Sequence, residues 1–146
     1  MKYLAGILIL GLGLTGIAVH LAHANRADKG EKKVDTRIFE LRTYTTAPGK
    51  LDALNARFRD HTNRLFKKHG MTIIGFWVPA PQKEGEEKLI YILAYPSKEA
   101  AEKSWKAFRE DPEWNKVRAE SEKNGRLLAK PPESVYMTPT DYSPIK

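Results

Sequence analysis

From Arg37 onward the side chains first alternate. Ile38, Glu40, Arg42 and Tyr44 fall on one side of an extended chain; Arg37, Phe39, Leu41 and Thr43 fall on the other. Ala47-Pro48-Gly49 ends this predicted strand. The period then changes. Leu51, Leu54, Phe58, His61 and Leu65 recur at spacings of three and four, which predicts a helix with one apolar stripe. Gly70 follows Lys67, Lys68 and His69 as a helix stop, because glycine takes the left-handed turn and cations suit the negative helix end. Two strands are predicted next, over 71–78 and 88–95, joined by a polar, turn-rich loop over 79–87. Ile73, Gly75 and Trp77 are apolar on one side of the first, Ile74, Phe76 and Val78 on the other. In the second, Leu89, Tyr91 and Leu93 oppose Ile90, Ile92 and Ala94. Ser97 is a helix cap, with Ala101, Trp105 and Phe108 on the apolar side. Asp111-Pro112-Glu113 restarts a helix with Trp114 and Val117 inward, Asn124-Gly125 stops it, and a last strand is expected around 134–138.

The order βαββαβ defines an α+β fold of the ferredoxin-like kind: a four-stranded antiparallel sheet with its helices on one face. A sheet with one wet face would show polar residues at every second position, and the two central predicted strands do not. One helix layer covers one face only, and the chain offers no further element for the other. A second copy packed sheet to sheet supplies the cover, so a homodimer is expected; the alternative is a monomer with a partly wet second face.

The run Arg37-Ile-Phe-Glu-Leu-Arg-Thr-Tyr44 with Ala47-Pro-Gly-Lys50, then Lys68-His-Gly70, Gly75-Phe-Trp77 and Asp111-Pro-Glu-Trp114, resembles the NIPSNAP domain in order and spacing. The resemblance covers nearly everything after the N-terminal segment and implies a ferredoxin-like, dimeric α/β-barrel fold. It implies little about chemistry. The expected organisation is a signal peptide over 1–24, a flexible linker over 25–35, a NIPSNAP-like domain over 36–141 and a short tail over 142–146.

The N-terminal segment changes the picture of where the protein acts. Met1-Lys2 precedes an apolar run from Tyr3 to Val19, and Ala22-His23-Ala24 follows, the layout of a secretory signal with cleavage after Ala24. The run is short of the roughly 20 residues that a span needs, and four glycines weaken it as a helix. The alternative is an uncleaved N-terminal anchor. Residues 25–33 hold one apolar side chain and cannot offset chain entropy. Export to a periplasmic or extracellular space is therefore expected, with no stable membrane insertion after cleavage. The chain has no cysteine, which leaves out disulfides, thiolate nucleophiles and cysteine-held metals. Its net charge of +7 is spread along the chain without a nucleic-acid motif, so no nucleic-acid partner is expected. No cofactor signature is found, and no metal site: His61 and His69 are too far apart along a helix to share an ion.

His61 is the sharpest candidate for chemistry. On the apolar stripe between Phe58 and Leu65 it should point towards the sheet, where it could serve as general base, ligand anchor or haem ligand. The plainer reading is a core-edge histidine with a hydrogen-bond partner. Glu40, Arg42 and Tyr44 share a strand face and, if covered, need partners. Two readings stay open: a paired structural network, or a polar pocket where Arg42 receives an anionic group and Tyr44 donates a proton. Trp77, Tyr91 and Tyr95 form either a flat wall for a ring-shaped ligand or plain core.

Two functions follow. One is a binding module holding a small apolar or aromatic ligand between helices and sheet, with Arg42, Tyr44, Trp77 and Tyr91 as ligand-binding residues. The other is a cofactor-independent oxygenase- or isomerase-like enzyme of the kind the dimeric α/β-barrel resemblance implies, with His61 as base. The family's name also suggests vesicle or mitochondrial biology, against which an export signal argues. The signal is directly testable: N-terminal sequencing of protein recovered from its host should begin at Asn25, and intact residues 1–24 in the membrane fraction would show an anchor instead.

Overall fold

The computed structural model describes residues 37–146. The expected signal segment and linker, over 1–35, lie outside the described residues. Among the described residues, no helix is long and apolar enough to cross a membrane.

The elements are β1 (Ile38–Thr45), α1 (Leu51–Arg57), a π-helical turn (Phe58–Thr62), α2 (Asn63–Lys68), β2 (Thr72–Trp77), β3 (Lys88–Tyr95), α3 (Lys98–Glu110), α4 (Pro112–Ser121) and β4 (Glu133–Met137). They build one antiparallel sheet of order β2-β3-β1-β4, as the ferredoxin-like reading requires. β1 lies centrally, with Ile38 opposite Tyr95 and Tyr44 opposite Leu89. On its other side Glu40 faces Tyr136 and Arg42 faces Ser134 across the ladder to β4.

Local chemistry sets the ends of the helices. Ser97 caps α3 by accepting from Ala100 N–H, and Asp111 caps α4 by accepting from Glu113 N–H, with Pro112 in the first turn. Gly70 ends α2 at φ 76°, in the left-handed region that favours glycine. Asp111 Oδ2 also receives Lys68 Nζ and lies 2.7 Å from His69 Nε2, so the end of α2 is tied to the start of α4. Hydrogen bonds from Lys68 and His69 hold the Asp111 carboxyl well below the usual carboxylate range.

The core sits between sheet and helices. Tyr44, Tyr91, Leu93 and Tyr95 from the sheet meet Leu54, Phe58, Leu65, Phe66, Trp105 and Phe108 from the helices. Its centre is aromatic: Phe58 meets Tyr44, Phe66, Phe76 and Tyr91 with ring centroids 5.3–6.0 Å apart, mostly edge to face.

Two expectations from periodicity fail, each through one extra residue. The predicted stripe assumed an unbroken α-helix. The π-turn inserts a residue, and Thr62, not His61, takes the inward position: Thr62 is 1% exposed and donates to Arg57 O. His61 is consequently exposed and does not point towards the sheet. In β2 the ladder slips between Ile73 and Gly75. Ile73 pairs with Leu93 and Phe76 with Tyr91, both on the helix side. Gly75 and Trp77 pair with Ile92 and Ile90 on the other face. The expected set of Ile73, Gly75 and Trp77 is therefore split. Gly75 carries the Trp77 ring: a Cβ there would come within 2.7 Å of the indole.

The second sheet face presents Phe39, Leu41, Ile90, Ile92 and Met137. The chain does supply part of its cover, contrary to expectation: residues 138–145 return alongside it and, with Phe39, Ile74 and Ile92, line an open hollow of about 280 Å³. Trp77 and Val135 on the same face remain half exposed, at 50% and 55%.

The π-turn makes a clear mutational contrast. His61→Ala should change unfolding free energy by less than about 0.5 kcal/mol, as exposed positions do. Leu65→Ala, at a fully buried position, should cost about 2–5 kcal/mol. Chemical denaturation of both variants checks this; a large loss for His61→Ala would mean that the side chain turns inward.

Candidate functional site

The paired-network reading of β1 is correct for Glu40. Its carboxylate is 1% exposed and receives four donors. Arg42 Nη1 (2.7 Å) and Ser134 Oγ (2.6 Å) donate to Oε1; Tyr95 Oη (2.8 Å) and Trp105 Nε1 (2.7 Å) donate to Oε2. Burial pushes this carboxyl up, but the hydrogen bonds from Ser134, Trp105 and Arg42, with the Arg42 charge, outweigh it and lower it overall. Burial and the facing Glu40 push the Tyr95 phenol up, out of the titrating range.

Arg42 is the bridge from this network to a cavity. Its guanidinium lies over the Trp105 ring at 4.3 Å from the centroid and within 5.7 Å of Tyr44. Burial disfavours the cation, but Tyr91, Tyr44 and Glu40 more than offset that, and Arg42 stays charged. Beyond it opens a cavity of about 460 Å³ between the sheet, α3, α4 and residues 126–132. Tyr44, Trp105 and Phe108 are buried aromatic walls, and Trp114 adds a half-buried one. The segment 126–132 is held in place by the end of β1, where Ala47 N–H donates to Leu127 O and Ala129 N–H to Thr45 O.

The cavity is strongly basic. Arg57, 5% exposed, donates to Glu122 at 3.1 Å and lies over Trp114 at 5.3 Å; Arg118 approaches the other Glu122 oxygen at 3.6 Å. Arg109, Arg126 and Lys130 complete the lining. Among the described residues, no group of acidic, histidine or cysteine side chains is placed to hold a metal.

The sequence-derived candidates separate here. Arg42 and Tyr44 both line the cavity. Tyr91 lies one layer deeper, fully buried against Tyr44 at 5.3 Å, and burial keeps its phenol well above its ordinary range. Trp77 is on the opposite sheet face and takes no part. His61 borders a different hollow, between α1 and α4, beside Asp60, Lys116 and Glu120. Missed from the sequence were Trp105 and Trp114, read as helix packing, and the arginines Arg57, Arg109, Arg118 and Arg126. One signal was present: Trp114, Arg118 and Glu122 lie four apart and so share one face at α4.

These features define a ferredoxin-like α+β domain with an aromatic, basic cavity between its two layers. The chain belongs to the NIPSNAP family, whose family model matches residues 39–144. Solved structures agree in fold. A NIPSNAP family protein of unknown function from Agrobacterium tumefaciens is 19% identical, with a TM-score of 0.65 over 77% of this chain and 96% of that one. An uncharacterized NIPSNAP-like domain protein from Burkholderia xenovorans is 16% identical, with a TM-score of 0.64 over 75% and 90%. A monooxygenase of Streptomyces coelicolor in complex with nanaomycin D is 15% identical, with a TM-score of 0.50 over 75% and 92%. At these identities the likeness is one of fold. No functionally curated protein matches the sequence.

The network is testable by stability. Glu40→Ala leaves Arg42 without its carboxylate in a buried setting and should cost about 3–5 kcal/mol. Tyr95→Phe, removing one donor to a charged acceptor, should cost about 1.5–3 kcal/mol. Because the folded Glu40 carboxyl is shifted down from 4.5, its contribution is fully present above that value and is lost as pH falls through the lowered one. Wild-type stability should drop on acidification, and Glu40→Gln should remove that part of the drop.

Proposed function

We propose that this chain is an exported, homodimeric NIPSNAP module that binds a small, ring-bearing molecule in the cavity between helices and sheet. The observation that carries this reading is the cavity wall of Tyr44, Trp105, Phe108 and Trp114, with a volume in the usual range of small-molecule sites. Export rests on the apolar N-terminal run and Ala22-His23-Ala24. The dimer rests on the half-exposed Trp77 and Val135 of the second sheet face, which the C-terminal segment leaves open. The enzymatic reading with His61 as base loses its geometry, because His61 does not line this cavity.

Native mass spectrometry of protein purified from its own host tests the reading. The expected result is twice the chain mass plus a small-molecule mass that is lost on denaturation. Val135→Lys, which places a cation on each open face, should shift the protein to monomer without unfolding it. A bare monomer from wild type would overturn both the dimer and the retained ligand.

A further inference from the structure

The cavity wall holds six cationic side chains and one carboxylate. Most aromatic, apolar sites carry only a few polar groups, which fix the orientation of what they bind. Here the polar groups are nearly all of one sign. Three are accounted for: Arg42 is paired with Glu40, and Arg57 and Arg118 share Glu122. Lys130 reaches Glu133 along the chain. Arg109 and Arg126 make no ion pair among the described residues, yet both line the same cavity. Arg42 and Arg57 each also keep a buried Nε without a hydrogen-bond partner, donors left over after their carboxylates are satisfied.

The arrangement is graded. Tyr44, Trp105 and Phe108 are buried and Trp114 half-buried, whereas Arg109, Arg118 and Arg126 are exposed. The aromatic surface is thus inside and the unpaired cations are at the rim. Cations gathered on a concave, low-dielectric surface repel one another and focus a positive potential into the cavity. A molecule that brings a negative charge relieves that repulsion. Guanidinium pairs fit a planar oxyanion such as a carboxylate, by parallel N–H···O bonds. An apolar ring behind that oxyanion reaches the aromatic walls.

We propose that this cavity selects aromatic carboxylic acids, with the ring against Trp105, Phe108 and Trp114 and the carboxylate held by Arg109 and Arg126. The inference rests on the ligand-cavity reading and deepens it: an uncharged ring compound would satisfy that reading, and only an anion satisfies this one.

The test uses 15N-labelled full chain, 1-naphthoate and its uncharged counterpart 1-naphthalenemethanol. The protein has three tryptophans, so three indole N–H signals report separately on the cavity (Trp105, Trp114) and on the opposite sheet face (Trp77). Naphthoate should move the Trp105 and Trp114 signals, leave Trp77 in place, and bind at least roughly 10-fold more tightly than the alcohol. Arg109→Ala/Arg126→Ala should weaken naphthoate to the level of the alcohol without changing the alcohol's affinity; both residues are exposed, so the fold is spared. Equal affinity for the two probes, or no effect of the double variant on naphthoate, would overturn anion selection while leaving the cavity reading intact. If neither probe at millimolar concentration moves Trp105 or Trp114, the cavity reading fails and this inference fails with it.

Discussion

The buried carboxylate of Glu40 is the constraint on which the other parts of this domain converge. Removing a carboxylate from water costs several kcal/mol unless its lone pairs are satisfied, and here all the donors come from side chains. Arg42 lies on the same strand, Tyr95 on β3, Ser134 on β4 and Trp105 on α3. The three central and edge strands on that side and the longest helix must all be in register before the charge is stable. A one-residue slip of β4 against β1 would carry Ser134 to the opposite face. The same group orients the cavity: Glu40 holds one end of Arg42, and the guanidinium so held lies flat on Trp105. Scaffold and site share one hydrogen-bonded centre.

Most of the fold was legible because its signals are local or strictly periodic. The alternation of β1 put Ile38, Glu40, Arg42 and Tyr44 on one side, which the structure turns towards the helices, and β3 runs over Lys88–Tyr95 as expected. Ser97, Asp111 and Gly70 act as helix boundaries through their own side chain or lack of one. What failed was periodicity across an inserted residue. In a helix each residue turns the chain by about 100°, so one extra residue in the π-turn moves His61 out and Thr62 in. In a strand one extra residue reverses the faces, and the slip after Ile73 sends Trp77 away from Tyr91. No residue type announces either insertion. Both are settled by tertiary packing: Phe58, Leu65 and Phe66 on the helix, and Ile73 with Phe76 on the strand, are all placed against the core.

The candidate site was half legible for a different reason. Arg42 and Tyr44 could be found because they interrupt an apolar pattern on a strand that must be covered. Arg57, Arg109, Arg118 and Arg126 could not, because each sits where a solvated charge is unremarkable in sequence. Their positions along the chain span three helices and a loop, and the sequence shows only a scattered basic balance. Folding brings them to one concave wall, and only there does the imbalance of six cations to one carboxylate exist. Charge patterning read along a chain registers rows four apart, such as Trp114, Arg118 and Glu122; it does not register convergence between elements.

The two faces of the sheet therefore carry different kinds of surface. The outer face is apolar at its centre, with charge at its margins in Arg37, Lys88 and Glu133; Phe39 is already covered by the returning C-terminal segment, and Trp77 and Val135 are left open. Such a surface has no means of orienting a small polar molecule and gains chiefly from excluding water over area, which suits a second sheet. The inner face also has aromatic rings, but they end at arginines, two of them stacked on tryptophans. That combination gains little from a second sheet, because burying the arginines under an apolar cover would strand their charge. It gains from a molecule small enough to enter and charged enough to pair. Fold kinship with NIPSNAP proteins and with a monooxygenase accounts for the sheet and the helix layer, which this architecture shares across different chemistries. Fold alone does not say what the cavity takes; the proposed preference for an anion rests on the side chains of the arginine-lined wall.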